Sequence, residues 1–219
     1  MTIDDFIILA EKALSGDASS QFKLGRCFTL WDVVNIDYSQ AVKWYTQAAE
    51  QGNSDAQNSL GVCYKIGRGV EIDYDKAVYW FTQAVELENH KAQYNLGLCY
   101  FYGTGVEQDY EKAMCLYSKA AEQGNLDSQN NLGTCFYNGQ GVSQDFDKAV
   151  FWFTKSARLG NPYAQLNLGN CFLKGRGVDQ DYEKALLWCT KAVAQGLNEA
   201  KEKVNSIIET IKNFWLCKN

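Results

Sequence analysis

A cysteine recurs every 36 residues along most of this chain, at Cys27, Cys63, Cys99, Cys135 and Cys171. The residues around each cysteine recur with it, so nearly the same segment is repeated in register. An uninterrupted period of this length is typical of a stacked repeat array, in which each unit buries its apolar face against its neighbours. The sequence therefore predicts one continuous repeat domain over residues 1–219 rather than a single globular core.

The period divides the chain into five whole units with a half-unit at each end. We place the whole units at residues 16–51, 52–87, 88–123, 124–159 and 160–195. Residues 1–15 match the second half of a unit and are predicted to form a lone helix, whereas residues 196–219 are predicted to form a capping helix.

The first half of each unit has the pattern of an amphipathic helix, called helix A here. In the third unit Ala92, Leu96 and Cys99 lie at i, i+4 and i+7, which places them on one buried face. Gly97 interrupts this helix at a cost of about 1 kcal/mol relative to alanine, and a glycine stands at the same place in every whole unit. We therefore expect another backbone to pack too closely there for a methyl group.

The second half of each unit predicts another helix, called helix B. An aspartate precedes it in every unit, at Asp37, Asp73, Asp109, Asp145 and Asp181, where a side-chain oxygen can cap the first turn. Helix B ends at a glycine in most units, as expected where the chain turns into the left-handed conformation. Glu88 replaces that glycine after the second unit, and we expect it at positive φ, at a cost of roughly 1 kcal/mol.

The two ends of the array depart from the pattern. Four units join helix A to helix B by a G-x-G-V loop, whereas the first unit has the segment Trp31–Val34 there. In the closing helix Lys201, Glu202 and Lys203 predict an outer polar face. Atypical terminal units of this kind are typical of repeat arrays, because the outermost helices have a neighbour on one side only.

The charge of the chain argues against two classes of partner. There are 21 basic and 26 acidic residues, which gives a formal net charge of -5, and the basic residues do not cluster. We therefore predict no nucleic-acid partner and no membrane insertion. The segment MTIDDFIILAEKAL has no basic n-region and too short an apolar run for a signal peptide, which predicts an unprocessed protein.

The cysteines are predicted to be free thiols. Stacked helices lie about 8 to 10 Å apart, whereas a disulfide needs its α-carbons within about 7 Å. Free thiols favour a reducing, cytoplasmic compartment. Of the eight cysteines, Cys217 near the end of the chain is predicted to be the most reactive with solvent reagents.

The sequence offers little for catalysis, cofactors or metals. His90 is the only histidine, so no histidine pair is present for a metal or for acid–base chemistry. The G-x-G loops follow a helix rather than a strand, which indicates helix reversal rather than phosphate binding. We predict no catalytic residue, no cofactor and no metal.

The repeated pattern A-Q-x-x-L-G-x-C-Y-x-x-G-x-G-V-x-x-D-Y-x-K-A-x-x-W-Y-x-x-A-A-x-x-G resembles the Sel1-like repeat, a relative of the tetratricopeptide repeat. The resemblance covers almost the whole chain. It implies an all-α, right-handed α-solenoid superhelix of antiparallel helix pairs, with A helices on the concave wall and B helices on the convex wall. It also implies a non-catalytic scaffold or adaptor that binds a protein or peptide.

Two alternatives follow from the same resemblance. Bacterial family members act in interactions with hosts, so secretion as an effector adaptor without a cleavable signal peptide stays an alternative. Some cysteine-rich members have been described as penicillin-binding or β-lactamase-like, and Ser20 and Lys23 satisfy S-x-x-K. Neither S-D-N nor K-T-G occurs, and Ser20 stands in a slot held elsewhere by buried alanine, which makes the match a coincidence.

The binding residues are expected where the units differ along the exposed side of helix A, spaced i, i+4, i+7. An apolar group in the middle of the array is predicted to dominate recognition. The candidate residues are Arg26, Asn58, Lys65, Tyr94, Leu98, Phe101, Tyr102, Asn130, Tyr137 and Leu173. The same rings could instead pack between neighbouring A helices.

Two further columns have open interpretations. The glutamines Gln21, Gln57, Gln93, Gln129 and Gln165 could bind a peptide backbone or join adjacent helices. The convex slot of Tyr79, Cys115, Phe151 and Leu187 could be a self-association face. The chain is predicted to be a monomer or a weak dimer.

Overall fold

The computed structural model describes residues 2–30 and 35–216, with side chains as far as residue 213. Within these residues the chain is helical and contains no strand. The helices are α1 Ile3–Leu14, α2 Ala18–Cys27, α3 Tyr38–Glu50, α4 Ser54–Ile66, α5 Tyr74–Glu86, α6 His90–Tyr102, α7 Tyr110–Glu122, α8 Leu126–Asn138, α9 Phe146–Arg158, α10 Pro162–Lys174, α11 Tyr182–Ala194 and α12 Glu199–Leu216. The prediction of an all-α repeat fold is confirmed.

The chain forms two compact units, Met1–Leu116 and Tyr117–Asn219, and the division falls within α7. In the first unit each helix from α1 to α6 packs on the next, and α4 also contacts α6. In the second unit α8 to α12 pack in succession in the same way. No helix among the described residues is both long enough and apolar enough to cross a membrane.

Every helix B with a described cap begins at the predicted aspartate. The side chains of Asp37, Asp73, Asp145 and Asp181 accept a hydrogen bond from the amide three residues on, and Asp109 accepts one from the amide of Lys112 at 2.9 Å. Helix A has a matching cap that the sequence analysis missed, formed by Asn53, Asn89, Asn125 and Asn161. Each cap pairs a first-turn amide that has no partner within its own helix.

The ends of the helices follow the glycine pattern. Helix A ends at a left-handed glycine in four of the repeats, and the glycines after helix B also have positive φ. Glu88 is the one non-glycine residue at positive φ in the described part of the chain, with φ of 57°. The prediction for Glu88 is confirmed. The segment Trp31–Val34 and Cys217 lie outside the described residues.

The glycine inside helix A is required by a different neighbour from the one that we predicted. A β-carbon on Gly61 would lie 2.6 Å from the ring of Phe81, and the nearest backbone atom, the carbonyl oxygen of Ala77, would lie at 3.1 Å. Gly133 meets the ring of Phe153 in the same way. A methyl group at this position would therefore clash first with the buried aromatic ring of helix B. The backbone that we expected to exclude it is only the second-nearest group.

The core of each of the two compact units consists mainly of small and medium side chains. In the first unit Ala77, Phe81, Leu96 and Cys99 form one buried cluster. In the second unit Ala185 and Cys189 pack with Ile207, which stands in the cysteine slot of the closing helix. Lys201 and Glu202 are exposed as predicted, but Lys203 is half-buried and turned to the helix-A surface.

Candidate partner-binding surface

In the first unit the predicted apolar residues of α6 are half-buried. Tyr94, Leu98 and Phe101 are partly covered, whereas Tyr102 is 68% exposed. The ring of Phe101 packs edge-on against Tyr102 at 5.0 Å and Tyr110 at 5.1 Å. Phe101 therefore stabilises the fold as well as forming part of the surface. Tyr102 is the more exposed of the two residues.

The polar candidates of the first unit divide into surface and core. Arg26 is exposed and Lys65 is half-buried, as expected for the outward side of helix A. The expectation of exposure is wrong for Asn58, which is 8% exposed and accepts a hydrogen bond from the side-chain amide of Asn95 at 2.9 Å. A buried amide needs such a partner, so Asn58 joins α4 to α6 instead of facing a ligand.

In the second unit Asn130 repeats this arrangement two repeats later. Its side-chain oxygen accepts a hydrogen bond from Nδ2 of Asn167 at 2.9 Å. Asn130 nevertheless stays half-exposed, and Leu173 is also half-exposed. The polar slot therefore joins neighbouring A helices in both units.

Tyr137 is held in place by several neighbours. Nη1 of Arg176 donates to the hydroxyl of Tyr137 at 2.7 Å, and the guanidinium lies 5.4 Å from the centre of its ring. The ring also packs edge-on against Phe146 at 5.2 Å. Tyr137 therefore packs against neighbouring side chains and stays partly exposed on the helix-A surface.

The glutamine column joins helices. Nε2 of Gln57 donates to the carbonyl of Ala49 at 3.1 Å, and Gln129 donates to the carbonyl of Ala121 at 3.0 Å. Gln21 and Gln165 make the equivalent bonds. These amides satisfy carbonyls at the end of the preceding helix B, which settles the choice between helix joining and peptide binding for the four residues in favour of helix joining.

The helix-A surface of the second unit also contains a cavity of about 170 Å³. It is lined by Tyr137, Phe153, Asn167, Asn170, Lys174 and Lys203. Oδ1 of Asn170 is buried and has no hydrogen-bond partner among the described residues. The sequence analysis did not predict Lys174 or Lys203 as a binding residue. Alignment of the closing helix offered a signal, because Lys203 stands in the slot of Asn167.

The comparison with known families identifies the repeat. The family model described as Sel1 repeat matches residues 18–53, 54–89, 90–125, 126–161 and 162–197. The chain belongs to the Sel1 repeat family. Sel1 repeat proteins are generally protein-interaction scaffolds.

Solved structures of bacterial proteins share this Sel1 fold. A protective antigen of uropathogenic Escherichia coli is 33% identical, with a TM-score of 0.74, over 94% of this chain and 52% of that protein. A Sel1 repeat protein from Oxalobacter formigenes is 32% identical, with a TM-score of 0.80, over 92% of this chain and 59% of that one. One from Klebsiella pneumoniae is 26% identical, with a TM-score of 0.60, over 91% of this chain and 97% of that one.

The chain spans 52% and 59% of the length of the first two proteins. A search of curated proteins finds no match.

The seven described cysteines of this Sel1 chain are free thiols. Burial raises the pKa of Cys63, Cys135 and Cys171 to about 11. A thiol with so high a pKa stays protonated at neutral pH and is a poor nucleophile and metal ligand. No group of three or more metal-binding side chains occurs in the described ranges.

Ser20 has a structural environment. Its side chain lies in the alanine slot of α2 and the residue is 6% exposed, while Lys23 points to solvent. A nucleophilic serine needs its hydroxyl open to substrate and beside a base. The two residues of the S-x-x-K match therefore lie in different environments, with the serine buried and the lysine exposed.

Proposed function

We propose that this Sel1 repeat chain is a non-catalytic scaffold that binds a peptide segment of a partner protein on its helix-A surface. The observation that carries the proposal is the cavity of the second unit, in which the half-exposed side chain of Asn170 lies with Lys174 and Lys203. A side-chain amide can both donate and accept hydrogen bonds, so a peptide backbone can pair with it there.

The lining of this cavity favours an acidic peptide. A peptide N–H can donate to Asn170, and a carboxylate can pair with the ammonium groups of Lys174 and Lys203. Two lysines on one wall of a protein with a formal net charge of -5 create a local field that attracts a negative group. A peptide with an acidic residue or a free carboxyl terminus meets both requirements.

The aromatic residues of the first unit supply a second contact area. We propose that Tyr94, Leu98, Phe101 and Tyr102 bind apolar side chains of a partner, and that Arg26 and Lys65 bind polar ones. Within the second unit we propose that Asn130, Tyr137 and Leu173 contribute to binding. Half-exposed aromatics next to polar groups are frequent among residues that dominate interface energies.

The proposal is tested by selecting peptides on the purified protein from a random library and measuring their affinity by fluorescence anisotropy. Lys203→Ala is expected to weaken the selected acidic peptides about 5- to 30-fold, which corresponds to about 1 to 2 kcal/mol. Lys201→Ala removes the same charge from the exposed side of α12 and is expected to have little effect.

The aromatic area is tested with Tyr102→Ala and with Tyr94→Ala combined with Phe101→Ala. Helical circular dichroism should be retained while affinity falls, and Tyr102→Ala is the cleaner variant because Phe101 also packs on Tyr110. Peptides that bind all these variants as tightly as the natural chain would contradict the proposed surface. We also propose a reducing, cytoplasmic location, supported by the buried, protonated thiols.

A further inference from the structure

The outward faces of α5 and α9 are equivalent surfaces two repeats apart. Each has an aromatic residue, Tyr79 in α5 and Phe151 in α9, and a leucine eight positions later at the C-terminal cap, Leu87 and Leu159. All four are between 51% and 63% exposed. Each aromatic ring is ordered by the tryptophan that follows it, with Tyr79 5.0 Å from Trp80 and Phe151 5.2 Å from Trp152.

The charges beside these apolar ends have opposite sign. Beside α5, Tyr79 and Leu87 border a cavity of about 420 Å³ together with Glu86 and with Glu50 at the end of α3, and none of its described lining residues is basic. We call this the acidic patch. Beside α9, Phe151, Leu159, Lys155 and Arg158 border a cavity of about 470 Å³, and no acidic residue is among the lining residues that the structure describes. We call this the basic patch.

The other B helices do not repeat this combination. The slot of Tyr79 holds Lys43 in α3, Cys115 in α7 and Leu187 in α11. The leucine slot is Gln51, Gln123 and Gln195 in those three units. Among the B helices, only α5 and α9 therefore combine an exposed aromatic residue with a leucine eight positions later. The two patches are not a general property of helix B.

We infer that the chain associates with a second copy of itself, with the acidic patch of one copy on the basic patch of the other. When Tyr79 of one copy lies against Phe151 of the other and the two helices run in the same direction, Glu86 lies opposite Arg158. This follows because each charged residue comes seven positions after its aromatic residue. Two acidic or two basic patches repel each other, so self-pairing of either patch is disfavoured. The contact is consequently heterologous, which allows chains or rings of copies.

The physical properties of the patches predict a weak and salt-sensitive contact. Interfaces that bury less than about 1,200 Å² belong to the weak and transient class, and one helix face with its neighbouring loop offers no more than this. Opposite charges at the rim mainly raise the association rate and are screened by salt. Association is expected at tens to hundreds of micromolar protein, which is within reach of sedimentation measurements.

The test compares the natural chain with two charge-reversed variants by sedimentation velocity from about 10 to about 500 µM in low salt. Glu50→Lys with Glu86→Lys creates a chain with two basic patches, and Lys155→Glu with Arg158→Glu creates one with two acidic patches. Each variant alone should lose association about 10-fold or more relative to the natural chain. A one-to-one mixture should recover association, because each mixed pair restores one opposite-charge contact.

A matched control changes the same number of charges elsewhere. Glu11→Lys with Glu202→Lys alters two exposed glutamates in α1 and α12 and should leave association unchanged. The inference is overturned if the natural chain stays monomeric over the whole range. It is equally overturned if the variants associate as the natural chain does, or if the mixture associates no better than its components.

Discussion

An alanine β-carbon at position 169 would lie only 2.5 Å from Sγ of Cys189. Gly169 belongs to α10 and Cys189 to α11, and in three other repeats an aromatic ring of helix B fills the equivalent space, as with Phe81 against Gly61. In these four repeats helix A and helix B pack closely at one glycine, and the size of the partner side chain varies.

We predict that Gly169→Ala destabilises the protein by about 1 to 3 kcal/mol, because overpacking exceeds the gain of about 1 kcal/mol in helix propensity. Combining it with Cys189→Ala should cost less than the sum of the single changes, since the smaller side chain frees the space. Urea unfolding measures all three variants. Additive losses would show that the contact between Gly169 and Cys189 does not determine the cost.

Glu88→Gly is predicted to stabilise the protein by about 0.5 to 1 kcal/mol. Glu88 has φ of 57°, which costs a residue with a β-carbon roughly 1 kcal/mol and costs glycine little. The melting temperature should rise by about 1 to 4 °C. The matched reverse change is Gly124→Glu at φ of 90°, which should lower it. A melting temperature that is unchanged or lower in Glu88→Gly contradicts the strain.

Acid should destabilise the protein through the aspartate caps. The backbone amide of Lys148, above all, holds the pKa of Asp145 below its ordinary value, and Asp73, Asp109 and Asp181 have lowered pKa values for the same reason. A carboxyl group with a lowered folded-state pKa contributes stability above its unfolded pKa of about 4 and loses it as the pH falls.

Melting curves between pH 6 and pH 2 test this prediction. The melting temperature should fall below about pH 4, and Asp145→Asn should make the fall shallower because asparagine caps a helix without titrating. Lys155→Gln, which lies outside the cap, serves as the control. An Asp145→Asn chain with the same acid dependence as the natural chain would remove this cap as a source of the effect.

Among the described cysteines, Cys115 is predicted to react first with a thiol reagent. It is exposed, whereas burial raises the pKa of Cys135 and Cys189 to about 11 and removes them from solvent. At pH 8 the native chain should label rapidly at Cys115, and the buried thiols should follow only on unfolding. Peptide mapping by mass spectrometry reports each site. A chain carrying Cys115→Ser should lose that signal, and rapid labelling of Cys135 would contradict the burial argument.

The number and order of the helices follow from the sequence alone. The 36-residue period predicted twelve helical segments, because apolar residues at helical spacing, an aspartate before helix B and a glycine after it act within a few residues of one another. The positive φ of Glu88 followed from the same local pattern, since its slot is glycine in the neighbouring units. The asparagine caps of helix A obey the same local rule, because Asn53 and Asn89 each stand directly before a helix.

The exposure of the helix-A side chains, in contrast, depends on contacts between repeats and could not be predicted from the sequence. Asn58 and Asn130 share a slot, yet one is buried and the other half-exposed, because the neighbouring repeat sets how much of each amide is covered. The ring against Gly61 and the cavity beside Asn170 and Lys203 likewise depend on residues far apart in the chain. Burial and pairing of this kind depend on distances between elements, which a repeat period does not encode.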